Sequence, residues 1–226
     1  MLDEEQARAY AAADFESAHS LYPKLFDTLF PDRPRCALVL DIGCGPCDIT
    51  MRFARANPGY RFHAVDGSAA MLAEARKALR RRRLVTRIQL IEGCVPDTAL
   101  PAATYDVVLS SSLLHHLREP QALWQTIQRY SKPGTRVFVV DLRRPASRDA
   151  AKVIAKKYSV GEPKVLKRDF FNSLLAAFTP AEVRQQLRET GLNWLRVATL
   201  TDRHLMVSGR SPSCAYGPRS PGSVCR

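Results

Sequence analysis

The chain has 226 residues, of which 46% are hydrophobic, and a formal net charge of +12. This length and hydrophobic content predict one sizeable α/β core. The acidic residues 1–5 are not followed by the apolar stretch of a secretory signal, and the longest apolar runs are shorter than a membrane span. Six cysteines in a chain of this size fit a reducing compartment better than a disulfide scaffold, so we expect a cytoplasmic protein.

The first 34 residues predict helices, which end where Pro31 and Pro34 interrupt the chain. Apolar side chains recur between residues 3 and 30, which indicates an amphipathic helical lid. Tyr10 and Phe15 of this lid are candidate substrate contacts.

A buried strand, a glycine-rich turn, a helix and a second buried strand come next. Gly43 and Gly45 lie in the turn, and Asp66 ends the second strand 21 residues after Gly45. An acid at about this separation accepts hydrogen bonds from two ribose hydroxyls in α/β nucleotide sites. The segment therefore predicts a site for an adenosine-bearing cofactor. The predicted bounds are 37–42 and 61–66 for the strands and 48–55 for the helix.

A basic segment follows the next predicted helix, residues 68–79. Residues 76–87 hold seven basic side chains and no acid, including the run 80–83. Positive charges at the end of a helix complement its dipole and stay solvated, which is the expected role here. Contact with phosphate or with an acidic partner is the alternative.

Three further strands and a helix continue the alternation, which predicts a doubly wound, mostly parallel α/β sheet. Ser110 and Ser111 lie at the carboxyl end of the fourth strand, where such sheets place ligand contacts. His115 and His116 follow, and either could act as a base or orient the substrate, with His115 ahead of His116. The other interpretation is that both only shape the loop. The predicted strands are 88–92, 105–110 and 136–142, and the helix is 119–130.

The remaining residues predict a substrate-side insertion and a closing hairpin. Thr179, Pro180 and Glu182 predict a helix start with a capping box, and that helix ends at Gly191. Two apolar runs separated by three residues then predict an antiparallel hairpin. The boundaries are 1–34 for the lid, 35–142 for the cofactor-binding core and 143–209 for the insertion and hairpin, all in one domain, with a disordered tail over 210–226.

The insertion also supplies three candidate substrate contacts, Arg143, Arg144 and Tyr158. Arginine in a closed pocket would suit a carboxylate or another anionic substrate. Structural ion pairs with Asp141 or Asp169 are an equally good expectation.

The ordered motifs resemble those of the class I S-adenosylmethionine-dependent methyltransferases. Residues 40–46, Leu-Asp-Ile-Gly-Cys-Gly-Pro, are similar to the first motif, and residues 65–72 resemble the second. Residues 105–117 are similar to the fourth strand and its loop, and Lys-Pro-Gly at 132–134 is typical of the approach to the fifth strand. The resemblance covers residues 38–209. It implies a Rossmann-like seven-stranded sheet, S-adenosyl-L-methionine as cofactor, S-adenosyl-L-homocysteine as product, and in-line methyl transfer to a small molecule.

The resemblance also implies roles for the residues of these motifs. Asp41 would bind the methionine ammonium, Asp66 would bind the ribose, and residues 67–71 would pack against the adenine. One departure is Gly93–Cys94, where many members have Gly-Asp, so a side-chain acceptor for the adenine amino group is lost unless Asp97 replaces it. The implied cofactor-binding set is Asp41, Gly43, Cys44, Gly45, Asp66, Gly67, Ser68, Met71, Cys94, Val95, Ser110 and Ser111.

Four functions other than small-molecule methylation share some of these sequence features. A dinucleotide site needs a third glycine where this chain has Asp48, whose charge would repel pyrophosphate. Cys44-Gly-Pro-Cys47 has the sequence pattern of a redox motif, but the residues on both sides of it match the methyltransferase motif. An RNA or protein methyltransferase would use the basic residues 76–87, although aromatic side chains do not interleave them. A non-catalytic relative would usually have lost its cofactor motifs, which are intact here. No metal site is predicted, and the oligomeric state is left open.

Overall fold

The computed structural model describes Ala7 and residues 19–212. Seven strands and seven α-helices form the described part of the chain, together with one short 3₁₀ turn at Leu114–His116. The strands are β1 Cys36–Ile42, β2 Gly59–Asp66, β3 Ile88–Glu92, β4 Tyr105–Ser111, β5 Ser131–Leu142, β6 Arg196–Thr199 and β7 His204–Arg210. The helices are α1 Leu21–Leu29, α2 Asp48–Ala56, α3 Ala69–Arg81, α4 Gln121–Tyr130, α5 Arg148–Tyr158, α6 Lys164–Ala176 and α7 Pro180–Glu189.

All seven strands belong to one sheet, in the order β3-β2-β1-β4-β5-β7-β6. The first five strands pair in parallel, and β7 is antiparallel to both β5 and β6. The predicted doubly wound sheet with an antiparallel C-terminal hairpin is therefore confirmed. The chain builds outward from β1 in one direction and then from β4 in the other, so a crevice forms between the carboxyl ends of these two strands.

Alternating strand residues supply two hydrophobic cores, one on each face of the sheet. Val39 packs with Phe53 and Phe138 on the face covered by α1, α2 and α3. Its neighbour Leu40 packs with Trp124 on the face covered by α4 and α7. Because helices cover both faces, the middle of each central strand is an unbroken apolar run, at residues 37–40 of β1, 107–109 of β4 and 137–140 of β5.

Strand β5 begins at Ser131 rather than at the predicted Arg136. Ser131 pairs with Tyr105 and Arg136 pairs with Val107, so residues 132–135, which include the Lys-Pro-Gly segment, form an irregularity in the pairing with β4. The Thr135 hydroxyl donates a hydrogen bond to the Tyr105 carbonyl at 2.6 Å, which holds this irregular stretch in place. A proline inside a strand is tolerated at such irregularities.

Strand β7 extends to Arg210, which the sequence assigns to the tail. The Arg210 guanidinium lies 2.7 Å from Asp32, and the Ser211 amide donates a hydrogen bond to the Thr135 carbonyl. These contacts attach the first residues of the predicted tail to the sheet. Residues 213–226, and with them the prediction of disorder, lie outside the described residues.

The insertion contains two helices, α5 and α6, that the sequence analysis does not predict. The Ser147 hydroxyl caps α5 by accepting a hydrogen bond from the Ala150 amide at 3.1 Å. Ala151 and Leu174 pack in a small separate core between the two helices. Among the helices within residues 19–212, none combines the length and apolar character needed to cross a membrane.

Candidate active site

A cavity of about 910 Å³ opens at the carboxyl ends of β1, β2 and β4. It lies at the crevice where the strand order reverses, which is the usual ligand position in open α/β sheets. The structure brings all but one of the predicted cofactor-binding residues to its wall. These residues are Asp41, Gly43, Cys44, Gly45, Asp66, Gly67, Ser68, Met71, Cys94, Val95 and Ser111.

The turn after β1 needs glycine at two positions for different reasons. Gly43 has φ +73°, and a Cβ there would lie 2.9 Å from the Leu113 side chain. Gly45 has φ +52°, but a Cβ there would meet no atom within 4 Å. Gly43 therefore permits close packing of the turn, and Gly45 leaves open space beside the cavity.

Asp66 is fixed in place by the backbone on both sides of the cavity. Its Oδ2 accepts a hydrogen bond from the Gly45 amide and its Oδ1 accepts one from the Ser68 amide, both at 2.8 Å. Each carboxylate oxygen has a second lone pair, so two acceptor positions are left for a ligand. Burial nevertheless raises the pKa of this carboxyl above its ordinary value.

Asp41 is a second carboxylate on the same wall, and it is fully buried, whereas Asp66 is half-buried. Its Oδ2 accepts a hydrogen bond from the Thr50 hydroxyl at 2.6 Å. Burial raises its pKa to about 6, against the effect of the Thr50 hydrogen bond, and the nearby charge of Asp66 raises it further. Neither carboxylate forms a salt bridge with a residue in the described part of the chain. This wall therefore favours a ligand that carries positive charge.

Gly67 and Cys94 are in close contact at the β2–β3 end of the cavity. A Cβ on Gly67 would lie 2.7 Å from the Cys94 sulfur, so a larger residue would displace that side chain. Asp97, the suggested replacement for the missing adenine acceptor, is exposed and does not line the cavity.

Asp48 occupies the first turn of α2 and contacts two basic side chains. Its Oδ2 lies 2.8 Å from His19 Nδ1 and accepts a hydrogen bond from Arg52 Nε at 3.0 Å. Burial alone would raise the pKa of Asp48, but these two contacts outweigh it and lower the pKa to about 2. His19 lies two residues before α1 begins, and Asp48 is the first residue of α2. Their contact therefore joins the start of α1 to the helix that follows the glycine-rich turn.

Cys44 and Cys47 are buried free thiols rather than a redox pair of the usual kind. Their mutual hydrogen bond, together with burial, raises the pKa of Cys44 well above its ordinary value. A reactive thiol in such a motif needs a lowered pKa instead. Within the described residues, no group of three or more His, Cys, Asp or Glu side chains is placed to hold a metal ion.

Ser110 is the one predicted cofactor contact that the structure does not place at the cavity. Its hydroxyl is buried and donates a hydrogen bond to the Ile42 carbonyl at 2.8 Å. Alternate strand residues point to opposite faces, which separates Ser110 from Ser111. Ser112, which the sequence analysis does not single out, does line the cavity and has φ +55°.

The two histidines of the 3₁₀ turn face different surroundings. His116 lines the cavity, whereas His115 is buried with its Nδ1 2.6 Å from Asp141 Oδ1. By position, His116 rather than the preferred His115 is placed to contact a ligand. Burial and the neighbouring His115 lower the pKa of His116 to about 4, so its imidazole is neutral near pH 7.

The three candidate substrate contacts of the insertion lie away from the cavity wall. Arg143 Nε donates a hydrogen bond to the Asp202 carbonyl at 3.2 Å, and the Tyr158 hydroxyl donates one to the Asp202 carboxylate at 2.8 Å. Arg144 pairs with Glu182 rather than with Asp141 or Asp169. These contacts join the insertion to the hairpin and to α7, so an anion-binding role for these arginines is not supported by their positions.

Tyr10 and Phe15, the lid candidates, lie outside the described residues. His19, which the sequence analysis does not select, lines the cavity from the described end of that region.

Known proteins share both sequence and fold with this chain. A family model described as a methyltransferase domain matches residues 40–137. The ubiquinone biosynthesis O-methyltransferase of Xylella fastidiosa is 29% identical over 220 residues, which cover 90% of this chain and 83% of that protein. An uncharacterised methyltransferase of Schizosaccharomyces pombe is 31% identical over 101 residues, and the match spans 42% of this chain and only 36% of the fission yeast protein.

Solved structures with this fold include a SAM-dependent methyltransferase from Aquifex aeolicus, with a TM-score of 0.67 and 16% identity over 93% of this chain and 99% of that one. The fold, the motif residues gathered at one cavity and the matching family model all agree. Residues 40–137 therefore match a methyltransferase domain, and the chain is similar in sequence and in fold to S-adenosylmethionine-dependent methyltransferases.

Proposed function

We propose that this methyltransferase transfers a methyl group from S-adenosylmethionine to a small-molecule acceptor bound in the same cavity. The observation that carries the proposal is the pair of carboxylates beside the open face of Gly45, the buried Asp41 and the half-buried Asp66. S-adenosylmethionine carries a sulfonium and an ammonium and has no phosphate. Its charges suit a wall whose acids no described cation neutralises, whereas a dinucleotide would bring further negative charge.

The residues present fit this cofactor in a consistent arrangement. Asp66 has two acceptor positions left for the ribose hydroxyls, and Asp41 would meet the ammonium. Gly67 and Met71 would border the adenine, with Cys94 on the other side. A cavity of about 910 Å³ is at the upper end of the range for small-ligand pockets, so it has room for an acceptor beside the cofactor.

The cofactor supplies an electrophilic methyl group on a sulfonium, and the protein supplies alignment and exclusion of water. Among the titratable groups that line the cavity, His116 is the best suited to contact the methyl acceptor, because its imidazole is neutral. It could accept a hydrogen bond from an acceptor O–H or N–H and so direct a lone pair toward the methyl group. The Xylella relative is an O-methyltransferase of ubiquinone biosynthesis, which supports a small acceptor of this kind.

Calorimetric titration with S-adenosylmethionine and S-adenosylhomocysteine tests the cofactor assignment. Asp66→Ala removes the ribose acceptor and should abolish detectable binding of both. Asp97→Ala is the matched control, because it removes an exposed acid near the same end of the sheet that does not line the cavity. Equal binding by wild type and Asp66→Ala would refute the assignment.

A screen of small acceptors with deuterated-methyl cofactor, followed by mass spectrometry, tests the acceptor class. We expect a mass increase on hydroxyl- or amine-bearing small molecules and none on RNA. Steeply salt-dependent RNA binding together with methylated RNA would instead establish RNA as the acceptor.

A further inference from the structure

A buried acid lies behind the histidine pair, and the proposed cofactor contacts do not include it. Asp141, at the end of β5, is 1% exposed. Its Oδ1 lies 2.6 Å from His115 Nδ1, and its Oδ2 accepts a hydrogen bond from the Leu114 amide at 2.8 Å. Both oxygens of this carboxylate therefore contact the 3₁₀ turn that carries His116.

Other contacts fix the same turn from its remaining sides. The Ser112 amide donates a hydrogen bond to the Val140 carbonyl at 3.0 Å, and the Leu113 side chain packs against Gly43. The His115 and His116 rings are stacked at a tilt, with centroids 4.0 Å apart. The His116 ring thus has a rigid support on the side away from the cavity.

We propose that Asp141 is a positioning residue that acts through His116, by holding the turn so that the His116 imidazole accepts a hydrogen bond from the O–H or N–H group of the methyl acceptor. This inference rests on the proposed methyl transfer. It also restricts the acceptor to molecules that lose a proton on methylation. In the step, a bond forms between the acceptor atom and the methyl carbon, the bond from that carbon to sulfur breaks, and the acceptor proton passes to His116 and then to solvent.

The hydrogen-bond chemistry of Asp141 fixes the tautomer of its neighbour. An ionised carboxylate only accepts hydrogen bonds, so the His115 Nδ1 must carry a proton. An asparagine at position 141 has one oxygen and one NH₂ group. If its oxygen keeps the Leu114 amide, its NH₂ faces His115 Nδ1, which must then act as an acceptor.

Nitrogen-15 spectra of the imidazole rings test this arrangement without any acceptor. In the wild type we expect His115 to be protonated at Nδ1. In Asp141→Asn the His115 proton should move to Nε2, and the His116 signals should shift with it. Asp106→Asn is the control. Asp106 also accepts a hydrogen bond from a backbone amide, that of Leu38 at 2.8 Å, but it lies at the opposite end of β4. This variant should change neither the His115 nor the His116 signals. Unchanged rings in Asp141→Asn would overturn the proposal.

Kinetics with an acceptor from the screen test whether Asp141 acts through His116. Asp141→Asn should lower kcat by about tenfold or more while the Kd for S-adenosylhomocysteine stays within about twofold. Combining it with His116→Gln should cost no more than His116→Gln alone, because the two residues serve one function. Losses that multiply in the double variant would overturn the proposal.

If Asp141→Asn does not fold, a second pair of variants tests the same positioning role. His115→Asn keeps an N–H donor for the carboxylate, whereas His115→Leu removes it. We expect the first to retain kcat within about threefold and the second to lose about tenfold. Equal losses would contradict the positioning role. Failure of the wild type to bind S-adenosylhomocysteine would instead refute the proposed function, and the ring spectra of the cofactor-free protein would still decide the role of Asp141.

Discussion

At the scale of single residues, the burial of the Asp41 carboxylate costs stability, as expected of a group retained to bind a cofactor. Its pKa rises from 3.8 in the unfolded chain to about 6 in the fold, so the stability linked to this group is greatest below about pH 3.8 and falls as pH rises through 6. Asp41→Asn should therefore stabilise the cofactor-free protein at pH 8, by up to about 3 kcal/mol, with little gain near pH 4. Urea unfolding at the two pH values measures this, and a less stable variant at pH 8 would contradict it.

The same shift predicts how cofactor binding depends on pH. Protonation of Asp41 removes the negative charge that would meet the ammonium, so affinity should weaken as pH falls through about 6. Titration calorimetry between pH 5 and 8 measures this, and the Asp41→Asn variant provides the reference. Its affinity should be low at every pH; a pH dependence that persists in the variant would assign the effect to another group.

At the scale of secondary structure, α7 begins with the capping box that the sequence predicts. The Thr179 hydroxyl accepts a hydrogen bond from the Glu182 amide, and the Thr179 amide donates one to the Glu182 carboxylate at 2.7 Å. Thr179→Ala should cost about 1 kcal/mol of unfolding free energy. The control Ser147→Ala removes the cap of α5, which lacks a reciprocal glutamate, and should cost less. Denaturant unfolding compares the two, and an equal cost would show that the box adds nothing beyond a simple cap.

The helices and strands could be predicted from the sequence where a single local pattern, such as an apolar run or a helix cap, identified them. Apolar runs predict β1 to β4 within about two residues of their observed ends, because strands covered on both faces have a mostly apolar middle. Helices α5 and α6 were missed because their buried faces are short; only Leu174 of α6 is fully buried. The Ser147 cap was the available signal. His115 and Asp141 are 26 residues apart in the sequence. They come into contact only because β4 and β5 are neighbours in the sheet, which no local sequence signal predicts.

At the scale of the whole molecule, the excess positive charge lies apart from the acidic wall of the cofactor turn. The arginines at 80, 81, 82 and 83 are exposed at the end of α3, and Arg81 and Arg82 also line the cavity. Replacing all four by glutamine should leave the Kd for S-adenosylhomocysteine within about twofold at 150 mM salt, because charges on exposed side chains are largely screened there. Calorimetry checks this, with Arg129→Gln as a single-charge control; a tenfold change would show that the basic run contributes to the cofactor site.

The contact of Asp48 with His19 has a consequence for the energetics of the entire protein. It attaches the chain entering α1 to the helix that begins at the cofactor turn. Two events that share one helix influence each other equally in both directions. A ligand that orders the turn should therefore also hold α1 against the sheet, and a change that loosens α1 should weaken binding of that ligand by the same factor. On this basis, the affinity of the pocket depends on a contact that lies at the start of α1.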